Sequence, residues 1–367
     1  MIHLTKLYHY PPYELLQQHE LEEVSQLYSG ADIAAHLSRV TPTVFVEALT
    51  SPQFTTYHFD LQNPFELSKI KRALPPLSAI LHREVVMVPS SQAHFALQIA
   101  GDKRAPVHFS QLVRQTSRDD GALSALLGVT QENTVLTFDL TRMPHTLIAG
   151  TTGSGKSVLV NAIIGSICYN YTPNDCRFVM IDPKQVELSR WDRLRDFLHC
   201  PVVTDMSRAA GKLEELCELM DGRYRVMKRR RVTSSEALFP RIVVVIDELA
   251  DLMLTNRKSV EKSIVRIAQL GRAAGIHLLL ATQRPSVNVV TGLIKANVPC
   301  RIALKTATAK DSEIVLDHRG AEKLLGSGDA LVKFPDSIAT HRFQAPYISS
   351  DDVARIASWW SHEPNRR

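Results

Sequence analysis

Little in this sequence can be cross-linked or embedded in a bilayer. Cysteine is sparse: Cys168, Cys176, Cys200, Cys217 and Cys300 are five, an odd number with no C-x-x-C pair. That argues against a disulfide framework and a cysteine zinc site, and it reads as buried or incidental thiols in a reducing compartment. No apolar run approaches the ~18 residues that cross a membrane. The N-terminal stretch is no secretory signal, because Lys6, Pro11, Pro12 and Glu14 interrupt its apolar residues. There is no internal repeat and no low-complexity tract. These absences point to a cytoplasmic protein without direct membrane insertion.

What is present describes an ordinary soluble chain. At 367 residues, with 44% hydrophobic and 22% charged positions, it is too long for one core and calls for two or three domains. A formal charge of +5 permits a polyanionic partner without requiring one.

The grammar changes along the chain. Residues 1–118 read as a small α+β domain. Ile33, Leu37 and Val40 recur at helical spacing, and strand-like runs cover 43–49 and 54–61, the second partly alternating through Tyr57, Phe59 and Leu61. A helical stretch over 66–81 contains Pro75 and Pro76, expected to end or kink it. Strands are expected at 84–88 and 95–100, and the polar run 115–121 is the candidate linker. From 119 to 367, short unbroken apolar runs (146–149, 178–181, 242–246, 277–281) alternate with longer helical segments. Such strands mark an α/β domain with a mainly parallel sheet covered on both faces.

The strongest chemical signal is Gly150, Thr151, Thr152, Gly153, Ser154, Gly155, Lys156, Ser157, which fits G-x-x-x-x-G-K-[ST] between an apolar strand and a helical pattern. Glycines let backbone N–H groups wrap a β-phosphate, and the helix N-terminus adds positive potential. Lys156 is expected to reach the β- and γ-phosphates of ATP, and Ser157 to ligate Mg2+. A second signal, residues 241–248, is a buried strand ending in Asp247 and Glu248. Asp247 would hold Mg2+ through water, and Glu248 would activate the attacking water. A third strand, 277–281, ends in Thr282 and Gln283, where an amide either senses the γ-phosphate or merely terminates the strand.

Taken together these motifs resemble the FtsK/SpoIIIE family of DNA translocases. The resemblance is carried by Met143-Pro144-His145-Thr146 leading into the phosphate loop, Ile181-Asp182-Pro183-Lys184 with Glu187 and Leu188, and Pro201 to Met206. It continues through Asp247 to Met253, Arg272 to His277, Thr282 to Ser286, Thr291 to Asn297 and Gly320 to Asp329. The motifs keep the family's order over roughly 120–350, and the first hundred or so residues are similar, more faintly, to the family's α domain. The resemblance implies a RecA-like P-loop motor, a homo-hexameric ring with ATP between neighbours, and double-stranded DNA in the channel. By position Arg301 matches the family's arginine finger, supplied in trans, with Arg272 and Arg284 as weaker candidates; the alternative for Arg301 is an ordinary surface arginine. Candidate DNA contacts are Lys310, Arg319, Lys323 and Arg342.

Three departures qualify the expectation. No hydrophobic N-terminal anchor is seen, and the chain ends soon after Asp352, without room for a sequence-reading winged helix. Glu313 stands where relatives commonly carry a DNA-facing arginine. A basic cluster, Arg223, Arg225, Lys228, Arg229, Arg230 and Arg231, either tracks phosphates or is the cationic end of a helix. The expected activity is ATP-dependent translocation of duplex DNA, as in chromosome partition or on a mobile element, with a loading or anchoring protein as a further partner. The alternatives are a protein-secretion ATPase of the same motor class and a non-hydrolysing binding module.

Overall fold

The computed structural model describes residues 8–19, 28–50, 54–88, 90, 92–101, 106–116, 121–337 and 339–361. Two compact units emerge, one of Met1–His19, His108–Gly128 and Val135–Arg367, the other of Glu20–Val107 and Val129–Thr134.

In the smaller unit, α1 (Gly30–Ser38), β1 (Thr43–Thr50), β2 (Phe54–Leu61), α2 (Leu67–Leu81), β3 (Val85–Val88) and β4 (Phe95–Ala100) follow in order. The strands form an antiparallel sheet in the order β1-β2-β4-β3. The alternation through Tyr57, Phe59 and Leu61 does what it predicts: all three enter the core with Leu97 and Ile99, and Phe59 stacks on Phe95 at 5.5 Å. Ile33 and Leu37 of α1 close over this face, but Val40 lies past the helix end, 46% exposed. The prolines depart from expectation. Helix α2 runs straight through Pro75 and Pro76 and stops only at His82, in a left-handed conformation with φ 51°. The carbonyls that lose their N–H partners belong to Lys71 and Arg72, both exposed, so water can take the donors' place. Residues 117–120 of the candidate linker lie outside the described residues.

The larger unit contains α3 (Phe109–Val113), β5 (Ser124–Thr130, whose last two residues belong to the smaller unit), β6 (Val135–Asp139), β7 (His145–Ala149), α4 (Lys156–Asn170) and β8 (Cys176–Ile181). It continues with α5 (Met206–Arg230), β9 (Arg241–Ile246), α6 (Leu249–Leu270), β10 (Ile276–Thr282), α7 (Gly292–Asn297) and β11 (Cys300–Leu304). Helix α8 (Ala309–Leu316), β12 (Asp329–Lys333), β13 (Thr340–Gln344) and α9 (Ser350–Ser361) complete it. The nine strands are ordered β6-β5-β13-β12-β11-β7-β10-β9-β8. Five of them, β8, β9, β10, β7 and β11, are mutually parallel, and β12 and β13 extend the sheet antiparallel. Every residue of β7, β9, β10 and β11 is buried, as unbroken apolar runs require of a sheet covered on both faces. The α/β class with a mainly parallel sheet is therefore observed.

Strand β7 sits between β10 and β11, so the loop after it opens where chain direction through the sheet reverses, the usual ligand crevice of such sheets. In α4 all residues but Ser157 and Val158 are buried, which fixes the helix under that loop. Across the sheet, Leu213, Leu216 and Met220 of α5 pack with Val260, Ile264 and Ile267 of α6.

The basic cluster resolves into two parts. Lys228, Arg229 and Arg230 form the last turn of α5, where cations complement the helix dipole. Arg223 is instead buried. Its Nη1 donates to the Ala274 carbonyl at 2.7 Å and its Nη2 to that of Pro240 at 2.8 Å, and burial brings its pKa down to about 10, with Arg177 nearby adding repulsion. It ties loops together and is neither a phosphate tracker nor a solvated cation. All five thiols are free. Among the described residues, no helix is long and apolar enough to cross a membrane.

Candidate nucleotide site

Parallel strands deliver their C-terminal ends to one edge, and the predicted residues gather there. The loop after β7 depends on two glycines with left-handed backbone, Gly153 at φ 78° and Gly155 at φ 98°. A Cβ on Gly155 would stand 2.6 Å from the Gly328 nitrogen. The loop is tied on both sides. The Gly150 N–H donates to Thr282 at 3.2 Å, the Thr151 N–H to Lys305 at 2.9 Å, and the Gly328 N–H to Ser154 at 2.8 Å. The Ser154 hydroxyl is buried with no partner in the protein, an unsatisfied group inside a phosphate-shaped turn. That observation fits a bound phosphate chain.

Lys156 opens α4 and is buried. Its Nζ donates to the Asp247 carbonyl at 2.8 Å and to the Asp247 carboxylate at 3.1 Å. The lysine and the carboxylate read as magnesium-holding therefore neutralise each other. Ser157 lies in the first turn of α4, half-buried. One hydroxyl and one carboxylate form an all-oxygen donor set, which suits a hard divalent ion.

Glu248 caps α6 and is 2% exposed. Its carboxylate accepts from the Thr282 hydroxyl at 2.6 Å, the Gln283 N–H at 3.0 Å and the Ala250 N–H at 3.3 Å. These donors belong to the tip of β10 and the start of α6, so the carboxylate is held against the strand ends. Gln283 uses its side chain elsewhere: Thr152 Oγ1 donates to its Oε1 at 2.9 Å, joining the phosphate loop to the tip of β10. A cleft of about 260 Å³ opens beside Thr151, between Gln283–Ser286 and Thr306–Asp311.

Two residues at this edge carried no assigned role in the sequence reading. Lys184, after β8, places its Nζ 3.8 Å from Glu248 and 3.6 Å from Asp251. Asp182 is fully buried, and its Oδ2 accepts from the Leu188 N–H at 2.8 Å. Their motif marked them only through family resemblance, because nothing local says that the loop folds back on the strand end of β9.

Of the remaining candidates, Arg284 shares the cleft with Thr151 of the phosphate loop. Arg301, second residue of β11, is neither a surface side chain nor free: it is 9% exposed, pairs with Asp317 at 2.7 Å and donates to the Val315 carbonyl at 3.3 Å. Arg272 and Arg284 are both exposed, Arg284 in the cleft wall. Lys310 and Lys323 are exposed as the DNA reading needs, but Arg319, 73% exposed, is paired with Glu313 at 2.6 Å. Arg342 is paired as well: its guanidinium bonds the buried Asp329 carboxylate at 2.9 and 2.7 Å and braces β13 against β12.

The FtsK/SpoIIIE family model matches residues 108–241 and 233–287. DNA translocase FtsK 1 of Neisseria meningitidis serogroup B is 36% identical over 393 residues, covering 96% of this chain and 48% of that protein. DNA translocase FtsK of Lactococcus lactis subsp. cremoris is 39% identical over 333 residues, covering 85% and 44% respectively. The chain thus spans about half the length of the curated relatives it matches. Among solved structures, the monomer form of the conjugation coupling protein TcpA with ATPγS shares the fold. Its TM-score is 0.63 at 24% identity, over 90% of this chain and 98% of that one.

Proposed function

This chain belongs to the FtsK/SpoIIIE family, and from that premise we propose that it hydrolyses ATP to move double-stranded DNA through a ring of identical subunits. In this reading the larger unit, which takes in Met1–His19 and His108–Gly128 besides Val135–Arg367, is the motor, and Glu20–Val107 with Val129–Thr134 is the smaller domain. The observation that carries it is the phosphate loop, with Lys156 held on Asp247 and Glu248 and Gln283 at adjoining strand tips. A lysine already desolvated and aimed across the loop exchanges one anion for another when a triphosphate enters. The loop N–H groups and the Ser154 hydroxyl bind the phosphate chain. Ser157 and Asp247 are the residues that would hold Mg2+, which when bound neutralises charge between the β- and γ-phosphates. Glu248, freed from the Thr282 hydroxyl, takes the proton of the attacking water, and Gln283 orients that water. Arg301 serves the neighbouring subunit's γ-phosphate, which explains the need for a ring. The names of the relatives support DNA as the substrate.

The test is ATP turnover with duplex DNA, single-stranded DNA or basic peptides added in turn. Stimulation by duplex alone is expected. Stimulation by peptides and not by duplex would overturn the DNA reading in favour of a secretion ATPase, and no turnover under any condition would leave only a nucleotide-binding module.

A further inference from the structure

Three cations converge on one carboxylate at the C-terminal end of α8. Asp317 accepts from Lys295 at 2.7 Å, from Arg301 at 2.7 Å and from Lys333 at 2.9 Å. Burial alone would raise its pKa, but the hydrogen bonds from Lys295 and Lys333 and the charge of Arg301 hold it well below the ordinary carboxylate range. Two carbonyls complete the hub: Val315 accepts from Arg301 at 3.3 Å and Leu316 from Lys333 at 3.3 Å. The Arg301 Nε stays buried without a partner. Without Asp317, three like charges would face one another in a half-buried space.

The position of the hub matters as much as its charge. Asp317 is the left-handed cap of α8, φ 69°, and its N–H donates to the Glu313 carbonyl at 3.0 Å. The exposed face of α8 carries Lys310 and Glu313, and Glu313 pairs with Arg319. One short helix therefore bears one candidate DNA contact, Lys310, and through Glu313 holds a second, Arg319. At its cap it grips the arginine assigned to the neighbour's ATP. Eight residues of helix move as one body, so a tilt at Lys310 or Glu313 is carried to Asp317 and Arg301 without any intervening loop.

We infer that Asp317 is a positioning residue that couples duplex contact on α8 to Arg301, and so to hydrolysis in the adjacent subunit. The inference rests on the proposed trans role of Arg301. Lys295 and Lys333 hold the carboxylate from α7 and β12, leaving α8 as the element able to shift it. An error of about 1 Å in a catalytic group costs on the order of a hundredfold in rate, which sets the scale of the effect.

The experiment compares ATP turnover of the full chain with and without duplex DNA, for wild type, Asp317→Asn and Asp317→Glu. Asp317→Asn is expected to lose at least about tenfold of the duplex-stimulated kcat. KM for ATP and duplex affinity stay within about twofold, and Asp317→Glu recovers part of the stimulation. A residue that only stabilised the fold would lower turnover with and without duplex by one factor, and would change the melting temperature instead of the ratio. Equal stimulation of wild type and Asp317→Asn overturns the inference and leaves the motor reading intact. A wild type that duplex does not stimulate overturns both. If Asp317→Asn fails to fold, Asp317→Asn with Lys295→Met removes one of the crowded cations, and its stimulation ratio is read in the same way.

Discussion

Replacing Lys156 by methionine in the nucleotide-free protein should cost fold stability as well as nucleotide binding, because the lysine is one half of a buried ion pair. Its side chain is 2% exposed, that of Asp247 is 4% exposed, and they meet at 3.1 Å. Removing one member of such a pair strands the other charge, at a cost of about 3–5 kcal/mol. In a unit of this size each kcal/mol moves the melting temperature by ~2–4 °C, so a fall of roughly 6–20 °C is expected. Adding Asp247→Asn to Lys156→Met removes the stranded carboxylate and should recover most of that loss, giving a coupling of about 2–3 kcal/mol in the double-mutant cycle. Asp247→Asn alone should cost less, since Lys156 still donates to the Asp247 carbonyl at 2.8 Å. Melting curves of the four proteins without nucleotide measure the cycle. Repeating them with saturating ATPγS should raise the wild type by mass action and leave both lysine variants unmoved. A Lys156→Met protein as stable as wild type would show that the pair is solvated and would refute the argument.

Glu248→Gln preserves the shape at the strand tips but replaces one acceptor oxygen by an amide, and it should bind nucleotide normally while single-turnover hydrolysis falls about 10²–10⁴-fold; turnover at the wild-type rate would remove Glu248 as base. Glu313→Arg should free Arg319 as well as add a cation, steepening the dependence of log duplex affinity on log salt by about one to two units, read by filter binding across a salt series; unchanged slope would place Glu313 away from DNA. His145 and His277 are buried, and burial brings each pKa down to about 3. The unfolded chain, with histidine near 6.5, takes up the protons that the folded chain refuses, so their stability is complete above about pH 6.5 and lost as pH falls towards 3. At pH 5 the loss is about 2 kcal/mol per histidine, and asparagine at both positions should flatten the acid limb of a melting-temperature profile.

The phosphate loop, the acidic pair after β9 and the amide after β10 were legible because each is a local pattern set at the end of an apolar strand. The strand runs themselves announced the parallel sheet, since burial on both faces leaves no alternation. What the sequence did not disclose depends on partners far along the chain. Arg342 reads as one more cation until Asp329 is found opposite it, and Arg223 reads as part of a basic run until its helix turns it onto the carbonyls of Ala274 and Pro240. Arg301 and Asp317 are sixteen positions apart with a strand and a helix between them, a separation at which no periodicity speaks. Pro75 and Pro76 misled for the converse reason. The rule against helical proline concerns unsatisfied carbonyls, and those of Lys71 and Arg72 belong to exposed residues, within reach of water.

Gly328 also sets limits on how this fold can be cut or recombined. The family model's match ends at residue 287, yet the outer wall of the phosphate loop is Gly328, which donates to Ser154 and accepts from Ala345 at 2.8 Å. A fragment that stopped at residue 287 would carry the loop's sequence without the support that gives it shape. Exchange of segments between relatives would likewise have to transfer 326–345 together with 150–157. Each glycine is fixed by its own neighbours: a Cβ on Gly155 would stand 2.6 Å from the Gly328 nitrogen, and one on Gly328 would stand 2.7 Å from the Gln344 side-chain nitrogen and 3.2 Å from the Ala345 carbonyl. The seam between these two turns thus joins stretches of chain about 170 residues apart into one structural part, which has to be kept or exchanged as a whole.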